Sequence, residues 1–246
     1  MTTQRLSKLL GLATLLLFGA GFLAVFLDVA SLSVLFPLLF GLLTVSMIAR
    51  FALGAMQAKP ALERIAAALS GRAHPELGSD WRRGEESGPP AALSAFACGR
   101  LAADPPLVGS SDGRPAHVSY ERLVDDSGST HLATLASVAS RVAVVNEGTV
   151  VMMRQPSRPW QRLAEGVVDG AATPAGLGAA WRVAATDAAT AEAIVTSQRI
   201  EALAASYASV SGAVWTAGEV TVIEDGHRTS AAPLAELIRL ASRLAV

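Results

Sequence analysis

The chain has 246 residues, 51% of them hydrophobic, with 20 Lys and Arg against 21 Asp and Glu and a net charge of −1. Four basic residues (Arg5, Lys8, Arg50, Lys59) and one acid (Asp28) fall within residues 1–59, so the remainder is mildly acidic and holds no Lys/Arg-rich stripe. This argues against a nucleic-acid partner, because neutralising phosphates needs clustered cations, and the single cysteine, Cys98, excludes an intrachain disulfide.

Residues 9–27 and 29–49 carry no charge, and Asp28 alone separates them. About 20 consecutive apolar residues span a ~30 Å hydrocarbon core as a helix, so the two runs predict a transmembrane hairpin over residues 1–58. The first run is too long for the hydrophobic region of a signal peptide. Ala20 and Ala24 form a small-xxx-small pair suited to close helix approach, within the hairpin or between copies. Basic residues flank both outer ends, which predicts a multi-pass protein of the bacterial cytoplasmic membrane with both termini in the cytoplasm. The lipid bilayer is accordingly an expected partner.

Pro60–Ser70 reads as an amphipathic helix with Leu62, Ile65, Ala66 and Leu69 inward and Gly71 ending it. Upstream, Phe51–Ala58 would join it to the second span along the lipid surface. Gly71–Pro90 is rich in Gly, Pro and charge and reads as a linker, so residues 59–90 form a juxtamembrane segment. Trp81 in that linker faces solvent or the membrane interface. The soluble α+β domain then covers 91–246, opening with a short helix over Ala91–Ala102.

Strand-like alternation marks Pro115–Val124, and His131–Ser140 follows across the turn Asp125–Ser129. The β-branched runs Arg141–Val145 and Thr149–Arg154 around Asn146-Glu147-Gly148 predict a hairpin. Pro156–Gly178 is irregular. A strand at Trp181–Ala185 leads to a helix capped by Thr186 or Asp187, then a second helix from Ser197 to about Ala208 with Ile200, Leu203, Ala204 and Tyr207 on one face. The hairpin Ala213–Ala217/Glu219–Glu224 is expected to close the sheet. Pro233–Leu244 is a final helix with Leu234, Leu237, Ile238, Ala241 and Leu244 inward. Strand runs interrupted by adjacent helices predict an α+β fold with a mainly antiparallel sheet.

The segments Gly113–Val118, Trp181-Arg182-Val183 with Asp187, Ala191 and Glu201–Leu203, and Glu219–Gly226 resemble a loose group of uncharacterised bacterial membrane proteins. That group combines two N-terminal spans with a C-terminal α+β domain of unknown function. The resemblance covers roughly residues 110–226, implies the architecture, and transfers no activity.

Gly109-Ser110-Ser111-Asp112-Gly113 matches the nucleophile elbow, but Pro105 and Pro106 precede it and a strand follows where a helix is required, so it reads as a turn. Gly176-Leu177-Gly178 precedes a strand and lacks the third glycine of a dinucleotide fingerprint. Asp125–Gly128 lacks the alternating acids and closing Glu of a calcium loop. The histidines show no helical pairing and no zinc motif. His117 and His131 could meet across a hairpin with Glu121 nearby, which makes these three the candidate polar groups of a ligand pocket. Arg154, Arg158, Trp160 and Arg162 form the one basic-aromatic cluster, suited to anionic headgroups. Trp160, Trp181 and Trp215 otherwise read as core packing. The sequence therefore predicts no catalytic residues, metal or cofactor. It points to a membrane-anchored module that binds a protein partner, or a second copy of itself, or helps assemble a membrane complex. The alternatives are a membrane-tethered enzyme or small-ligand binder, and a structural subunit of an intramembrane assembly.

Overall fold

A computed structural model describes residues 37, 40, 41, 44, 45, 61–85, 89–101, 104–140, 148–170 and 180–246. The chain divides into two units, Met1–Ala61 and Leu62–Val246. The expected transmembrane hairpin and multi-pass membrane placement are not upheld, for no helix among the described residues is long and apolar enough to cross a membrane. The longest bounded helix has 14 residues, about 21 Å of rise, against a ~30 Å core. Most of the two proposed spans, together with Phe51–Ala58, lies outside the described residues.

Among its described residues the second unit is a ten-stranded sheet with four helices, and every described strand pairing is antiparallel. Residues 61–69 form α1. The strands are β1 (Arg82–Arg83), β2 (Gly99–Arg100), β3 (Asp104–Ser111), β4 (Arg114–Val124), β5 (Thr130–Ala139), β6 (Val150–Arg154), β7 (Val168–Asp169) and β8 (Trp181–Ala185). Helices α2 (Ala188–Ile194) and α3 (Ser197–Ala204) precede β9 (Val210–Thr216), β10 (Glu219–Asp225) and α4 (Ala231–Leu244). The order across the sheet is β1-β3-β4-β5-β10-β9-β6-β8-β7, with β2 beside β4.

The β9–β10 hairpin therefore sits at the centre of the sheet instead of closing it. All seven residues of β9 are buried, as a strand covered on both faces must be. One face carries Val118, Ala136, Val222, Trp215 and Met152, packed under the helices. In α4 the expected residues Leu234, Leu237, Ile238, Ala241 and Leu244 are all at most 4% exposed, because their spacing forms one apolar stripe. Leu62, Ile65, Ala66 and Leu69 of α1 join the same core. Asp187 caps α2 by accepting from Thr190 N, and Thr196 caps α3 by accepting from Arg199 N. Helix α3 stops at Ala204, four residues short of the expected end, and leaves Tyr207 exposed.

The opposite face packs Leu123, Leu135, Val214, Ile223 and Met153 beneath a 3-10 turn (Ala91–Ala95), Phe96 and Trp160. Thus Ala91–Ala102 is not an α-helix: after the 3-10 turn the chain extends into β2. Trp160 meets Phe96 edge-on at 5.4 Å between ring centroids. Trp160, Trp181 and Trp215 are all core residues. Arg141–Val145, the first arm of the expected β6 hairpin, lies outside the described residues, as does Gly176–Gly178; β6 itself pairs with β8 and β9.

The segment after α1 is packed. Trp81 is buried, donates from Nε1 to Ser110 O at 3.1 Å, and lies flat over Gly109. A Cβ on Gly109 would stand 2.5 Å from the indole, so only glycine admits this contact. Neither the solvent nor the membrane-interface placement of Trp81 holds. Around it the chain covers the outer edge of β3, through Gly84 N to Pro106 O, Gly78 N to Ser110 O and Asp112 N to Glu76 O. Short strands and covering segments of this kind block sheet extension by another chain.

Candidate functional site

The expected site residues separate in space. The β4–β5 register sets His117 opposite Ser137, Glu121 opposite Ala133, and His131 opposite Leu123. His117 Nδ1 stands 4.0 Å from Glu219 Oε2. Glu121, wholly buried, accepts from Arg100 Nε at 2.5 Å and Nη2 at 3.2 Å. His131 Nε2 lies 2.8 Å from Asp125 Oδ2. Among the described residues no group of three metal-ligating side chains exists.

Asp125 explains its own turn. One carboxylate oxygen accepts from Ser127 N, Ser129 N and Ser127 Oγ, and the other faces His131. The Ser127 hydroxyl foremost, then His131, holds this carboxyl well below the usual carboxylate range. A depressed folded-state pKa stabilises the fold above the unfolded-state value and loses that contribution as pH falls. Asp125→Asn is therefore expected to lower the melting temperature at pH 7, with the gap to wild type closing on titration below pH ~4. A gap independent of pH would show that the charge is not responsible.

The basic-aromatic cluster also disperses. Arg154 donates to Val210 O at 2.9 Å and stacks 4.8 Å above the Trp181 ring. Arg158 pairs with Asp225 at 2.6 Å, Arg162 with Asp126 at 2.5 Å, and Trp160 is 2% exposed. The segment is held down along its length by contacts to separate elements. The Gly-x-Ser-x-Gly motif is a hairpin: Asp112 and Gly113, at φ 50° and 70°, make the two-residue turn that Asp-Gly favours. Ser111 Oγ is buried 2.6 Å from Ser242 Oγ, which removes it from any substrate.

A concavity lies elsewhere. A groove of about 610 Å³ runs between α4, the loop after α3 and the end of β10. Leu237 and Leu240 of α4 form its apolar lining, with Tyr207, 65% exposed, at its rim. Glu224, buried at the end of β10, pairs with Arg228 through both oxygens and accepts from Ser209 Oγ. Arg228 is locked further by its backbone N–H, which donates to Thr134 Oγ1 at 3.0 Å. The Glu224 carboxylate beside it raises the pKa of the Arg228 guanidinium.

At the other end Arg239 donates to Glu76 at 2.6 Å, to Glu236, and to His74 Nδ1 at 3.0 Å. Burial works to raise the Glu76 carboxyl pKa, but its own backbone N–H and Arg239 outweigh it and hold the group low. Arg243 lines the groove, is exposed, and has no acidic partner among the described residues. The sequence reading missed this site because its residues come from positions 74, 207, 224–228 and 236–243. A helix continued to Ala208 would turn Tyr207 inward, whereas the end of α3 at Ala204 leaves it exposed.

No family model matches this chain, and no curated protein matches it. Among solved structures it is similar to the mycobacterial trehalose monomycolate transport factor A, TtfA. The TM-score is 0.49 at 13% identity over 74% of this chain and 91% of that one.

Proposed function

We propose that the sheet-and-helix unit is a non-enzymatic binding module that docks a segment of a partner protein in the α3–α4 groove. The observation that carries this is the groove's combination of groups. An apolar lining that includes Leu237 and Leu240, an exposed tyrosine, and Arg243, which has no acidic partner among the described residues, surround the mutually satisfied Glu224–Arg228 ion pair. Tyr and Arg are the residue types that dominate contact energy at protein interfaces. Glu224, Arg228, Glu76 and Arg239 are held in salt bridges, which suits a rigid docking surface better than proton transfer. Arg243 asks for an acidic group, so the fitting segment presents an apolar side chain next to Asp or Glu.

A photo-crosslinking amino acid at Tyr207 in the full chain, inside its native cells, tests this. One discrete adduct is expected, absent when the same probe replaces the exposed Val168 and lost with Arg243→Glu. Equal labelling from both positions, or an adduct indifferent to Arg243→Glu, would overturn the reading.

A further inference from the structure

On the face of the sheet that α4 covers, the cover stops short of one end of the β4–β5 hairpin. Alternation puts Arg122 and Leu132 on the same side as Val118 and Ala136, and the register sets Arg122 directly opposite Leu132. Past β2 the chain keeps beside β4, with Leu101 N donating to Arg122 O at 2.8 Å. Arg100 reaches Glu121 on the other side, so Leu101 turns to this one. A row Leu101–Arg122–Leu132 therefore crosses three neighbouring segments, about 10 Å from end to end. Leu101 and Leu132 are 47% and 45% exposed. Apolar side chains exposed singly are ordinary, but these two flank one charge. Arg122 is exposed and has no acidic partner among the described residues; Asp104, opposite Tyr120 in the register, does not pair with it.

The row adjoins the α3–α4 groove. Glu224 of the groove stands opposite Thr134, which lies two residues along β5 from Leu132 and on the same side, about 7 Å away. The Gly226–Arg228 loop joins the two places. Gly226 N donates to Leu132 O at 2.8 Å, and Arg228, which lines the groove, donates its backbone N–H to Thr134 Oγ1. The same composition recurs on both sides of this loop. In the groove Arg243 shares the lining with Leu237 and Leu240; in the row Arg122 stands between Leu132 and Leu101. We propose that one segment of the partner protein occupies both. Leaving the groove past Arg228, it crosses β5 and β4, lays apolar side chains on Leu132 and Leu101, and sets a second Asp or Glu against Arg122. This rests on the groove reading above and specifies its partner as a segment carrying two acidic–apolar pairs. A bilayer surface fits less well, because recruitment to anionic headgroups takes clusters of about 4–8 basic residues, whereas here the Glu224–Arg228 pair stands between two single arginines.

The test places the photo-crosslinking amino acid at Leu132 and, separately, at Tyr207 in the full chain, inside its native cells. Mass spectrometry of the crosslinked peptides is the readout. Both positions are expected to capture the same protein, with the two crosslinks falling on one continuous segment of it. Arg122→Glu should weaken the Leu132 adduct about fivefold and the Tyr207 adduct about twofold, as for a charge at the rim of an interface. Arg122 is exposed, so this variant should melt with wild type. Different proteins captured at the two positions, or a lipid captured at Leu132, would overturn the proposal. So would adducts indifferent to Arg122→Glu. Loss of the Leu132 adduct alone would sink this extension and leave the groove reading standing, whereas no discrete adduct at Tyr207 would sink both.

Discussion

Trp215→Ala is expected to lower the free energy of unfolding by about 3–5 kcal/mol. Trp215 is wholly buried in the central strand β9, on the face covered by α4. Its Nε1 donates to Leu244 O at 3.3 Å, fastening the last turn of the helix to the middle of the sheet. Truncation removes the largest kind of apolar side chain where strands on both sides prevent collapse, so most of the cavity should persist. Domains of this size have about 5–15 kcal/mol of total stability, and the variant should retain only part of it. Trp215→Phe fills most of the space but leaves the Leu244 carbonyl unpaired, a smaller loss of about 1–2 kcal/mol. Urea unfolding followed by circular dichroism separates the two. A loss below about 1 kcal/mol for the alanine variant would contradict a core built around this residue.

Arg100→Met is expected to cost about 3 kcal/mol, near the lower end for breaking a buried ion pair, because the Arg100 side chain keeps 27% exposure while that of Glu121 has none. The variant strands a carboxylate between the sheet and the Phe96 layer, where Leu123, Ala133 and Leu135 surround it on the same face. The reverse change should be milder. Glu121→Leu leaves a guanidinium able to reach water, so its cost should be about 1 kcal/mol. The double variant Arg100→Met/Glu121→Leu should recover most of the stability lost in Arg100→Met, since an apolar pair replaces a salt bridge at little cost. Denaturant midpoints for the three proteins decide the matter. Simple additivity of the two single effects would show that the residues do not act as a pair.

The parts of the fold that could be read from the chain were those governed by local periodicity. In α4 the spacing of Leu234, Leu237, Ile238, Ala241 and Leu244 defines one stripe, and the structure buries all five. A cap at Thr186 or Asp187 was legible because a short polar side chain precedes an Ala-rich helical run, and the structure places it at Asp187. Strand order was a different matter. The β9–β10 hairpin has Gly218 at φ 75° in its turn, which marks a hairpin but says nothing about its neighbours. Thr221 between Val220 and Val222 looks like a residue on a solvent face, yet both sheet faces are covered and it is fully buried. The two-residue strand β1 has no period to detect, so Trp81 gave no sign of its seat on Gly109.

Site residues were harder still. His117 is legible as a polar residue of a strand, but its acidic neighbour Glu219 is about a hundred positions away, and only the sheet joins them. Glu121 and His131 were grouped with it because hairpin distance alone cannot say that Arg100 and Asp125 claim them first. Tyr207 followed from a helix end misjudged by one turn. Such errors come from pairing across strands and from competition among partners, neither of which a single linear pattern records.

The clasp of residues 76–84 on the outer edge of β3 has a practical corollary for expression. A fragment begun at Ala91 would omit that strap and Trp81 together. It would bare the backbone donors and acceptors of β3 to water and leave the recess over Gly109 unfilled. Such a product would offer its raw margin to other copies and tend toward insoluble stacks, whereas one begun ahead of Leu62 keeps its hem intact.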